Sequence, residues 1–259
     1  MGGPRTTGLF VTGTDTDVGK TVVAAALTAV LRARNVDAVP MKPVQTGCRR
    51  AGRRLVAPDL EFCLAVCGLR ATVAEKERMA PYRFAPACSP HLAARRAGRR
   101  IGFARVRKRY GELAADHAFV VVEGAGGVMV PVAGKRLMTD MMHTLGVPVV
   151  LVARSGLGTI NHTLLSVEAL RRSGLDVLGI VFNDVPARGP AHIARDNKRT
   201  IARLSGLPVL GHLPRLRCLA RGTPRPDRFL EACMPHVPGL RKLCRGMAGG
   251  RGHASPLSL

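Results

Sequence analysis

The chain has 259 residues, of which 46% are apolar, which is enough for one large α/β domain with a sizeable core. Its formal net charge of +23 would suit a polyanionic partner, but aromatic side chains, which stack on bases, make up only 3% of the residues. No apolar run is long enough to cross a bilayer. We therefore expect no membrane partner, do not favour nucleic acid, and interpret the arginines as residues of solvated faces.

The cysteine pattern bears on the compartment. There are seven cysteines, an odd number, and none forms a C-x-x-C pair, which argues against a closed set of disulfides. Cys63 and Cys67 are spaced to lie on one helix face, where we expect small buried thiols rather than metal ligands. No hydrophobic signal of the right length precedes Leu9. These features predict a cytoplasmic protein.

The first predicted elements form an anion-binding turn. A short β-branched strand runs from Leu9 to Gly13, and a helix follows that begins with Lys20 and Thr21 and continues through the apolar residues 22–31. The first N–H groups of a helix have no intrahelical partner and attract phosphate. The segment resembles the P-loop pattern G-x-x-x-x-G-K-[ST], with a loop one residue longer. It predicts Lys20 on the outer phosphates of a nucleotide and the Thr21 hydroxyl on magnesium.

The next segment adds a second cation. Residues 38–41 predict a strand that stops at a proline, with Lys42 at its carboxyl end. Ligands gather outside the carboxyl ends of parallel strands, so Lys42 is a candidate for the phosphate site, although a solvated lysine is the alternative. Residues 49–54 predict a mobile loop. Asp59 begins a helical pattern, where it can be the N-cap and also a metal ligand.

A second helix start and a buried acid follow. Ser89 or Pro90 is predicted to begin a helix. The continuous apolar run of residues 118–122 predicts a strand that is covered on both faces, as in a parallel sheet. Glu123 at its carboxyl end, followed by glycines, stands where a Walker B acid reaches the metal. A purely structural glutamate there would be costly without a partner.

The last elements complete the pattern. Residues 147–153 predict a strand, and residues 156–162 a glycine-rich turn into a helix, whose N–H groups suit a carboxylate or a phosphate. The strand of residues 177–182 ends at Asn183, whose amide offers the donor and acceptor that a purine edge needs. A final strand covers residues 208–211. This alternation predicts an α/β, P-loop NTPase-like three-layer fold with a mostly parallel, doubly wound sheet.

Six motifs, taken together in their order and spacing, resemble the dethiobiotin synthetase family. They are Gly13-Thr14-Asp15-Thr16-Asp17-Val18-Gly19-Lys20-Thr21, Lys42-Pro43-Val44, Ser89-Pro90-His91, Val122-Glu123-Gly124-Ala125-Gly126-Gly127, Gly158-Thr159-Ile160-Asn161-His162 and Asn183-Asp184. The resemblance runs from about Phe10 to Leu216, and the longer P-loop is the family's own form. We therefore predict a P-loop dethiobiotin synthetase-like domain over residues 1–216. For the basic Arg/Pro/Gly-rich tail, residues 217–259, disorder and a poorly matching adenine-side segment both stay open.

The resemblance implies a cyclo-ligase of biotin biosynthesis. Such an enzyme converts 7,8-diaminopelargonic acid, CO2 and ATP into dethiobiotin, ADP and phosphate, with Mg2+. One substrate amine takes up CO2 as a carbamate, and the carbamate oxygen attacks the γ-phosphorus to give a carbamic-phosphoric anhydride. The second amine then closes the ring.

The resemblance also implies roles for single residues. Lys20 and Lys42 are the catalytic residues, for the γ-phosphate and the carbamate respectively. The nucleotide is bound by Thr16, Asp17, Val18, Gly19, Lys20, Thr21, Asn183, Pro214, Arg215 and Leu216. The substrate is bound by Lys42, Thr46, Gly124, Gly127 and, from a second subunit, Gly158, Thr159, Ile160 and Asn161. Thr21, Asp59 and Glu123 hold Mg2+. A homodimer with its sites at the interface follows.

Some features leave alternatives open. Asp17 and Thr46 stand where the family usually has Glu and Ser. A partition-type P-loop ATPase that binds DNA without sequence preference shares the fold and would suit the net charge of +23. Those proteins usually carry a lysine and paired glycines before Gly-Lys-Thr, where this chain has Asp15-Thr16-Asp17. A cobyrinic-acid-type amidotransferase is a second alternative, but it needs a glutaminase domain.

Overall fold

Strands and helices alternate through residues 7–184 and 190–248, which are the residues that the computed structural model describes. The strands are β1 (Gly8–Gly13), β2 (Ala38–Met41), β3 (Val44–Gln45), β4 (Arg49–Ala51), β5 (Arg54–Val56), β6 (Tyr82–Arg83), β7 (Phe119–Glu123), β8 (Pro131–Ala133), β9 (Arg136–Leu137), β10 (Val149–Arg154), β11 (Val177–Asn183) and β12 (Val209–Leu213). The α-helices are α1 (Lys20–Arg32), α2 (Pro58–Val66), α3 (Val73–Met79), α4 (Pro90–Arg96), α5 (Phe103–Asp116), α6 (Met138–Leu145), α7 (Thr159–Arg172), α8 (Ala191–Ser205), α9 (Pro226–Cys233) and α10 (Pro238–Ala248). Short 3₁₀ helices cover Arg217–Arg221 and Met234–His236.

The central sheet is parallel and has six strands in the order β12-β11-β10-β1-β7-β2. After β1 the chain moves to β2 at one edge, returns through β7, and then builds β10, β11 and β12 on the other side of β1. The direction of winding thus reverses around β1, where a crevice opens outside the carboxyl ends of the strands. The predicted fold class is confirmed.

Helices cover both faces of the sheet and give it two apolar layers. Leu9 and Val11 face the layer that contains α1, whereas Phe10 between them faces the layer that contains α5 and α6. This alternation along β1 is the two-residue period of a strand that is buried on both sides. Small side chains let α1 lie close to the sheet, since its alanines at positions 24–26 are fully buried.

The tail contributes to the α1 layer. Phe229, Cys233, Leu240 and Cys244 are 0% exposed and belong to the same apolar cluster as α1. The Phe229 ring meets the edge of Phe62 on α2, with 6.0 Å between the ring centroids. Residues 217–248 therefore fold against α1 and α2. Residues 249–259 lie outside the described residues, and the division of the chain after residue 216 stays a prediction.

Two local predictions are wrong. Residues 49–54 are not a loop: β4 and β5 pair antiparallel, with the left-handed Gly52 (φ 59°) in the turn between them. Asp59 is not the N-cap of α2, because Ala57 occupies that position and Pro58 begins the helix. Proline suits the first helical position, where its fixed φ is already helical and no N–H is needed.

Two other local predictions, on the start of α4 and on the shared helix face of Cys63 and Cys67, are confirmed. Helix α4 begins at Pro90 with Ser89 as its N-cap. Cys63 is buried and Cys67 partly buried, and both thiols lie against α1, where their Sγ atoms donate to the main-chain oxygens of Thr21 and Ala25. Burial raises the pKa of Cys67 to about 12. No helix in the described ranges combines the length and the apolar character that a membrane crossing requires.

We expect Phe229→Ala to lower the free energy of unfolding by about 3 kcal/mol or more, because it opens a cavity between α9, α2 and α1. Urea unfolding followed by circular dichroism measures this. The matched control is Arg228→Ala, the exposed neighbour on α9, which should change the value by less than about 0.5 kcal/mol. Equal midpoints for the two variants would contradict the packing of the tail.

Candidate active site at the carboxyl edge of the sheet

The P-loop connects β1 to α1 through residues 14–19. Gly19 has φ 88°, and a Cβ atom added to it would lie 1.8 Å from Nδ2 of Asn183, so only glycine fits. The same Nδ2 donates to the main-chain oxygen of Val18 at 3.0 Å. Asp17 is also left-handed, with φ 57°. The end of β11 therefore supports a turn with two left-handed residues, a backbone conformation that is typical of anion-binding turns.

Lys20, the first residue of α1, bends its side chain back over this turn. Its Nζ donates to the main-chain oxygen of Asp15 at 2.6 Å, and the residue is only 6% exposed. Burial, and then the positive charge of Lys42, lower the pKa of Lys20 to about 8. In the described part of the chain no carboxylate lies within 4 Å of its ammonium. An anion bound in the turn would supply the missing negative charge.

Lys42 lies in a buried cluster of charges. Its Nζ is 2.6 Å from Oε1 of Glu123 and 2.7 Å from Oδ2 of Asp59, and it donates to the main-chain oxygen of Gly124 at 3.2 Å. Lys42 is 5% and Glu123 4% exposed. Met41 pairs with Val122, so β2 and β7 end side by side and bring the two charges together.

The electrostatics of this cluster favour the charged form of Lys42. Burial acts to lower the pKa of Lys42, but the charges of Glu123 and Asp59 outweigh it and raise the pKa above its usual value. Burial likewise acts to raise the pKa of Asp59, which the Lys42 charge nevertheless holds below its usual value. Burial raises the pKa of Glu123. Lys42 is therefore a firmly charged cation, in contrast to Lys20.

The three predicted magnesium ligands all lie around this cluster. Thr21 Oγ1 donates to Glu123 Oε1 at 2.7 Å, and Asp59 approaches from α2. Their donors are two carboxylates and one hydroxyl, which are hard oxygens that Mg2+ accepts together with phosphate oxygens and waters. Among residues 7–184 and 190–248, no group of three His, Cys, Asp or Glu side chains is arranged to hold a metal. Asp59 and Glu123 are only two carboxylates, so a metal held by them and by the Thr21 hydroxyl would need phosphate oxygens or waters as further ligands.

The residues predicted for adenine come from neighbouring strand ends. Asn183 ends β11 and is paired with Leu213 of β12, and residues 214–216 follow directly. Asn183 is buried, and its amide N–H is already bonded to the P-loop. Arg215 is exposed, whereas Leu216 is buried among the apolar residues of the α1 layer. In this structure Asn183 therefore supports the P-loop through its hydrogen bond to Val18.

The residues predicted for the substrate divide into two groups. Thr46 is half-buried beside the Lys42 cluster, because the side-chain amide of Gln45 bridges its main-chain oxygen (3.1 Å) and Asp59 (3.1 Å). An added Cβ on Gly124 would lie 2.9 Å from Phe10, and one on Gly127 would lie 3.2 Å from the Thr14 oxygen. Packing within the protein is thus one reason for both glycines.

The second group is the turn of residues 158–161 at the start of α7. Gly158 is the left-handed N-cap (φ 83°), Thr159 is buried, Ile160 is half-buried and Asn161 is exposed. A hollow of about 440 Å³ joins α7 to the P-loop, with Thr14, Gly127, Met129, His162 and Leu165 among its walls. The turn therefore faces the surface, while the two lysines are buried.

Two residues of the site were missed by the sequence analysis. Gln45 is 4% exposed and positions Asp59, and Arg154 at the end of β10 pairs with Asp15 of the P-loop at 3.2 Å. Gln45 directly follows the motif Lys42-Pro43-Val44 and precedes the predicted substrate residue Thr46, so its place near the site is visible in the sequence. Its partner is 14 residues away and becomes clear only in the fold.

A family model and two solved structures give the class of the fold. The family model described as an AAA domain matches residues 7–223. The chain is similar to the cell division ATPase MinD of Pyrococcus furiosus (TM-score 0.55, 15% identity, 95% of this chain and 100% of that one). It is also similar to the septum site-determining protein MinD of Pyrococcus horikoshii OT3 complexed with Mg-ADP (TM-score 0.55, 16% identity, 95% and 97%). At this identity the likeness shows the fold alone, which is that of the P-loop NTPases.

Curated relatives identify the family. The ATP-dependent dethiobiotin synthetase BioD of Anaeromyxobacter dehalogenans (strain 2CP-C) is 47% identical over 207 residues, which are 80% of this chain and 89% of the relative. The protein of the same name from Pseudomonas aeruginosa (strain LESB58) is 42% identical over 209 residues, with the same coverage. The chain belongs to the ATP-dependent dethiobiotin synthetase family, which makes it an ATP-using ligase of biotin biosynthesis. This family is preferred over the partition-type ATPase and the amidotransferase.

The carboxylates of the Lys42 cluster predict that a divalent cation binds more strongly once the ammonium is removed. Lys42→Met leaves Glu123 buried without its counter-ion, which costs about 3–5 kcal/mol, and we expect a lower melting temperature in the absence of metal. Added MgCl2 should raise the melting temperature of this variant more than that of the wild type. The control is Lys135→Met, an exposed lysine. An equal effect of MgCl2 on all three proteins would contradict a cation site at Asp59 and Glu123.

The lowered pKa of Lys20 predicts a pH-dependent affinity for ATP. Bound phosphates favour the charged lysine, so binding takes up a proton above pH 8, where the free protein has lost it. Calorimetry should find the affinity falling by about tenfold per pH unit above that value, until the pKa of the complex is reached. Lys20→Arg, which stays charged, should show a flat profile. The same slope in both proteins would contradict the assignment to Lys20.

Proposed function

We propose that the protein closes the ureido ring of dethiobiotin, converting 7,8-diaminopelargonic acid, CO2 and ATP into dethiobiotin, ADP and phosphate. The observation that carries the proposal is the pair of buried ammonium groups, Lys20 over the P-loop and Lys42 beside it. One reaction that needs two cations side by side is the transfer of a phosphoryl group to a second anion.

The nucleotide occupies the P-loop in this proposal. The N–H groups of residues 16–21 surround its phosphates, and Lys20 contacts the γ-phosphate. A carbamate oxygen attacks the γ-phosphorus, a new O–P bond forms, and the bond from phosphorus to the bridging oxygen breaks, so that ADP leaves with the electron pair. Lys20 has no carboxylate of its own within 4 Å in the described residues, and it is therefore free to offset the charge that develops there.

Lys42 and Thr46 hold the carbamate, which forms when a substrate amine adds to CO2 and loses a proton. A charged ammonium keeps this unstable anion beside the γ-phosphate. The second amine then attacks the carbonyl carbon of the carbamic-phosphoric anhydride. A C–N bond forms, the C–O bond to the phosphoryl group breaks, phosphate leaves, and the amine releases its proton. The firmly charged state of Lys42 supports this role.

Thr21, Asp59 and Glu123 are the proposed holders of Mg2+. Bound there, the ion would offset the negative charge of the phosphates. Glu123 connects the two halves of the site, because it accepts from Thr21 of the P-loop helix and pairs with Lys42.

Asn183 and the segment Pro214-Arg215-Leu216 are proposed for adenine. Their strand ends are adjacent in the sheet and lie next to the P-loop, which suits a base attached to phosphates in that turn. Gly124 and Gly127 are proposed to let the substrate approach the backbone closely.

We further propose a homodimer in which the turn of residues 158–161 binds the carboxylate of the substrate in the other subunit. Asn161 in this turn is exposed. The neighbouring apolar side chains of Leu157 and Leu165 are 88% and 62% exposed. A second copy of the chain would cover them. Met129, which is 56% exposed, lines the same hollow as Leu165.

A cytoplasmic location is also proposed. All seven cysteines are free thiols, and burial raises the pKa of both Cys233, to about 12, and Cys244, to about 11. Such thiols suit a reducing compartment.

The proposal is tested by ADP release from ATP with and without diaminopelargonate and bicarbonate. We expect both to be needed for rapid release. Lys20→Ala should abolish turnover. Lys42→Met should lower diamine-dependent turnover by roughly 100-fold or more while the Kd for ATP changes little, since its cation acts on the carbamate. Lys135→Met serves as the control. ADP release that responds to DNA but not to the diamine, or a Lys42→Met variant that loses ATP binding alone, would refute the proposal.

A further inference from the structure

Five arginines line a groove between the β4–β5 hairpin, β6 and the start of α5. They are Arg53, Arg54, Arg83, Arg99 and Arg105, and Glu77 is the acidic residue beside them. The cavity has a volume of about 320 Å³. We name it the arginine groove. Its side chains are different from those of the candidate active site.

The charges of this groove are mostly uncompensated. Glu77 lies 3.6 Å from Arg83, and Glu77 itself is 59% exposed. In the described residues no carboxylate lies within 4 Å of the guanidinium groups of Arg99 and Arg105 or of the two hairpin arginines. Five like charges around one hollow repel each other, and an anion placed among them relieves that repulsion.

Aromatic rings hold two of the guanidinium groups in place. Arg99 lies 5.9 Å from the centroid of Tyr82 and 5.6 Å from that of Phe84, and Arg105 lies 5.4 Å from Tyr82. The Tyr82 ring is fixed, because its hydroxyl accepts from the N–H of Gly102 at 2.8 Å. Arg83 is held by its hydrogen bond to the Leu55 oxygen at 3.1 Å. Less side-chain entropy is therefore lost when a ligand binds.

The same contacts indicate what kind of anion fits. A guanidinium fork binds two phosphate oxygens at once. The rings of Tyr82 and Phe84 are buried, at 5% and 1% exposed, and are therefore poorly placed to stack on bases. The groove is therefore suited to phosphates rather than to a base sequence.

The positive surface continues beyond the groove. Arg99 also lines a second hollow of about 680 Å³, together with Arg95, Arg100 and His91. The Nδ1 atom of His91 is buried and has no hydrogen-bond partner among the described residues. The surface is thus longer than one phosphate group.

We propose that the arginine groove binds an anion that carries two or more adjacent phosphate groups. A free polyphosphate and the backbone of a nucleic acid share this chemistry. The site is independent of the P-loop and of the proposed reaction.

The test is a titration of the full chain with inorganic tripolyphosphate and, separately, with a fluorescent oligothymidylate. A non-hydrolysable ATP analogue saturates the P-loop, so that phosphates cannot bind there. Wild-type protein should bind at least one probe, and Arg53→Gln/Arg54→Gln and Arg99→Gln/Arg105→Gln should each weaken that binding by about tenfold or more. Arg53 and Arg54 are exposed, so the variant that changes them leaves the packing of the core intact. It therefore tests the groove even where the Arg99→Gln/Arg105→Gln variant disturbs packing.

The matched control is Arg107→Gln/Lys108→Gln, which removes the same charge from exposed residues of α5 outside the groove. Its binding should change by less than about twofold. Binding of tripolyphosphate alone would support the proposal with a small anion as ligand, and binding of both probes would support it with a nucleic acid backbone. Absence of binding by either probe, or equal losses in groove and control variants, would overturn it.

Discussion

The ion pair between Lys42 and Glu123 is the interaction on which the site depends. It joins the ends of two adjacent strands, β2 and β7, at 2.6 Å, and both partners are almost completely buried. Thr21 connects Glu123 to the first turn of α1, and Asp59 connects Lys42 to α2. Burying such charges is expensive unless every partner is in place. The cluster therefore ties four elements into one arrangement, in which the P-loop helix and Lys42 both contact Glu123.

The two lysines differ in a way that suits the proposed chemistry. Lys42 has carboxylates against it and a raised pKa, whereas burial and the charge of Lys42 lower the pKa of Lys20 to about 8. A bound phosphate would therefore stabilise the charged form of Lys20 more than that of Lys42. The neighbouring carboxylates already keep Lys42 charged. The left-handed Gly19, which directly precedes Lys20, lies against Asn183, so the end of β11 supports the P-loop.

Much of this could be predicted from the sequence, because the strongest signals are local. The β-branched runs at β1, β7 and β10 mark strands that are buried on both faces, and Lys20 follows the glycine that opens a helix. The motifs also placed Lys42 and Glu123 at strand ends. That Lys42 would be buried rather than solvated could not be read from its neighbours, since Glu123 lies 81 residues away.

The remaining features depend on contacts that are distant in the chain. Gln45 matters because α2 brings Asp59 to it, and Phe229 is buried because α2 and α1 provide its pocket. Residues 49–54 are basic, which is typical of a loop, although they belong to an antiparallel hairpin. Helix α2 begins at Pro58 rather than at Asp59. The arginines of the groove are likewise scattered in the sequence. Only the fold brings Arg99 and Arg105 together beside Tyr82 and Phe84.

In the proposed reaction Lys20 and Lys42 act on two neighbouring anions, the γ-phosphate and the carbamate. A crystal structure with a non-hydrolysable ATP analogue, Mg2+, diaminopelargonate and bicarbonate tests it most directly. The account predicts Lys20 Nζ on a γ-phosphate oxygen, Lys42 Nζ on a carbamate oxygen, and the metal beside Glu123. A γ-phosphate or a carboxylated amine bound away from these two lysines would contradict it.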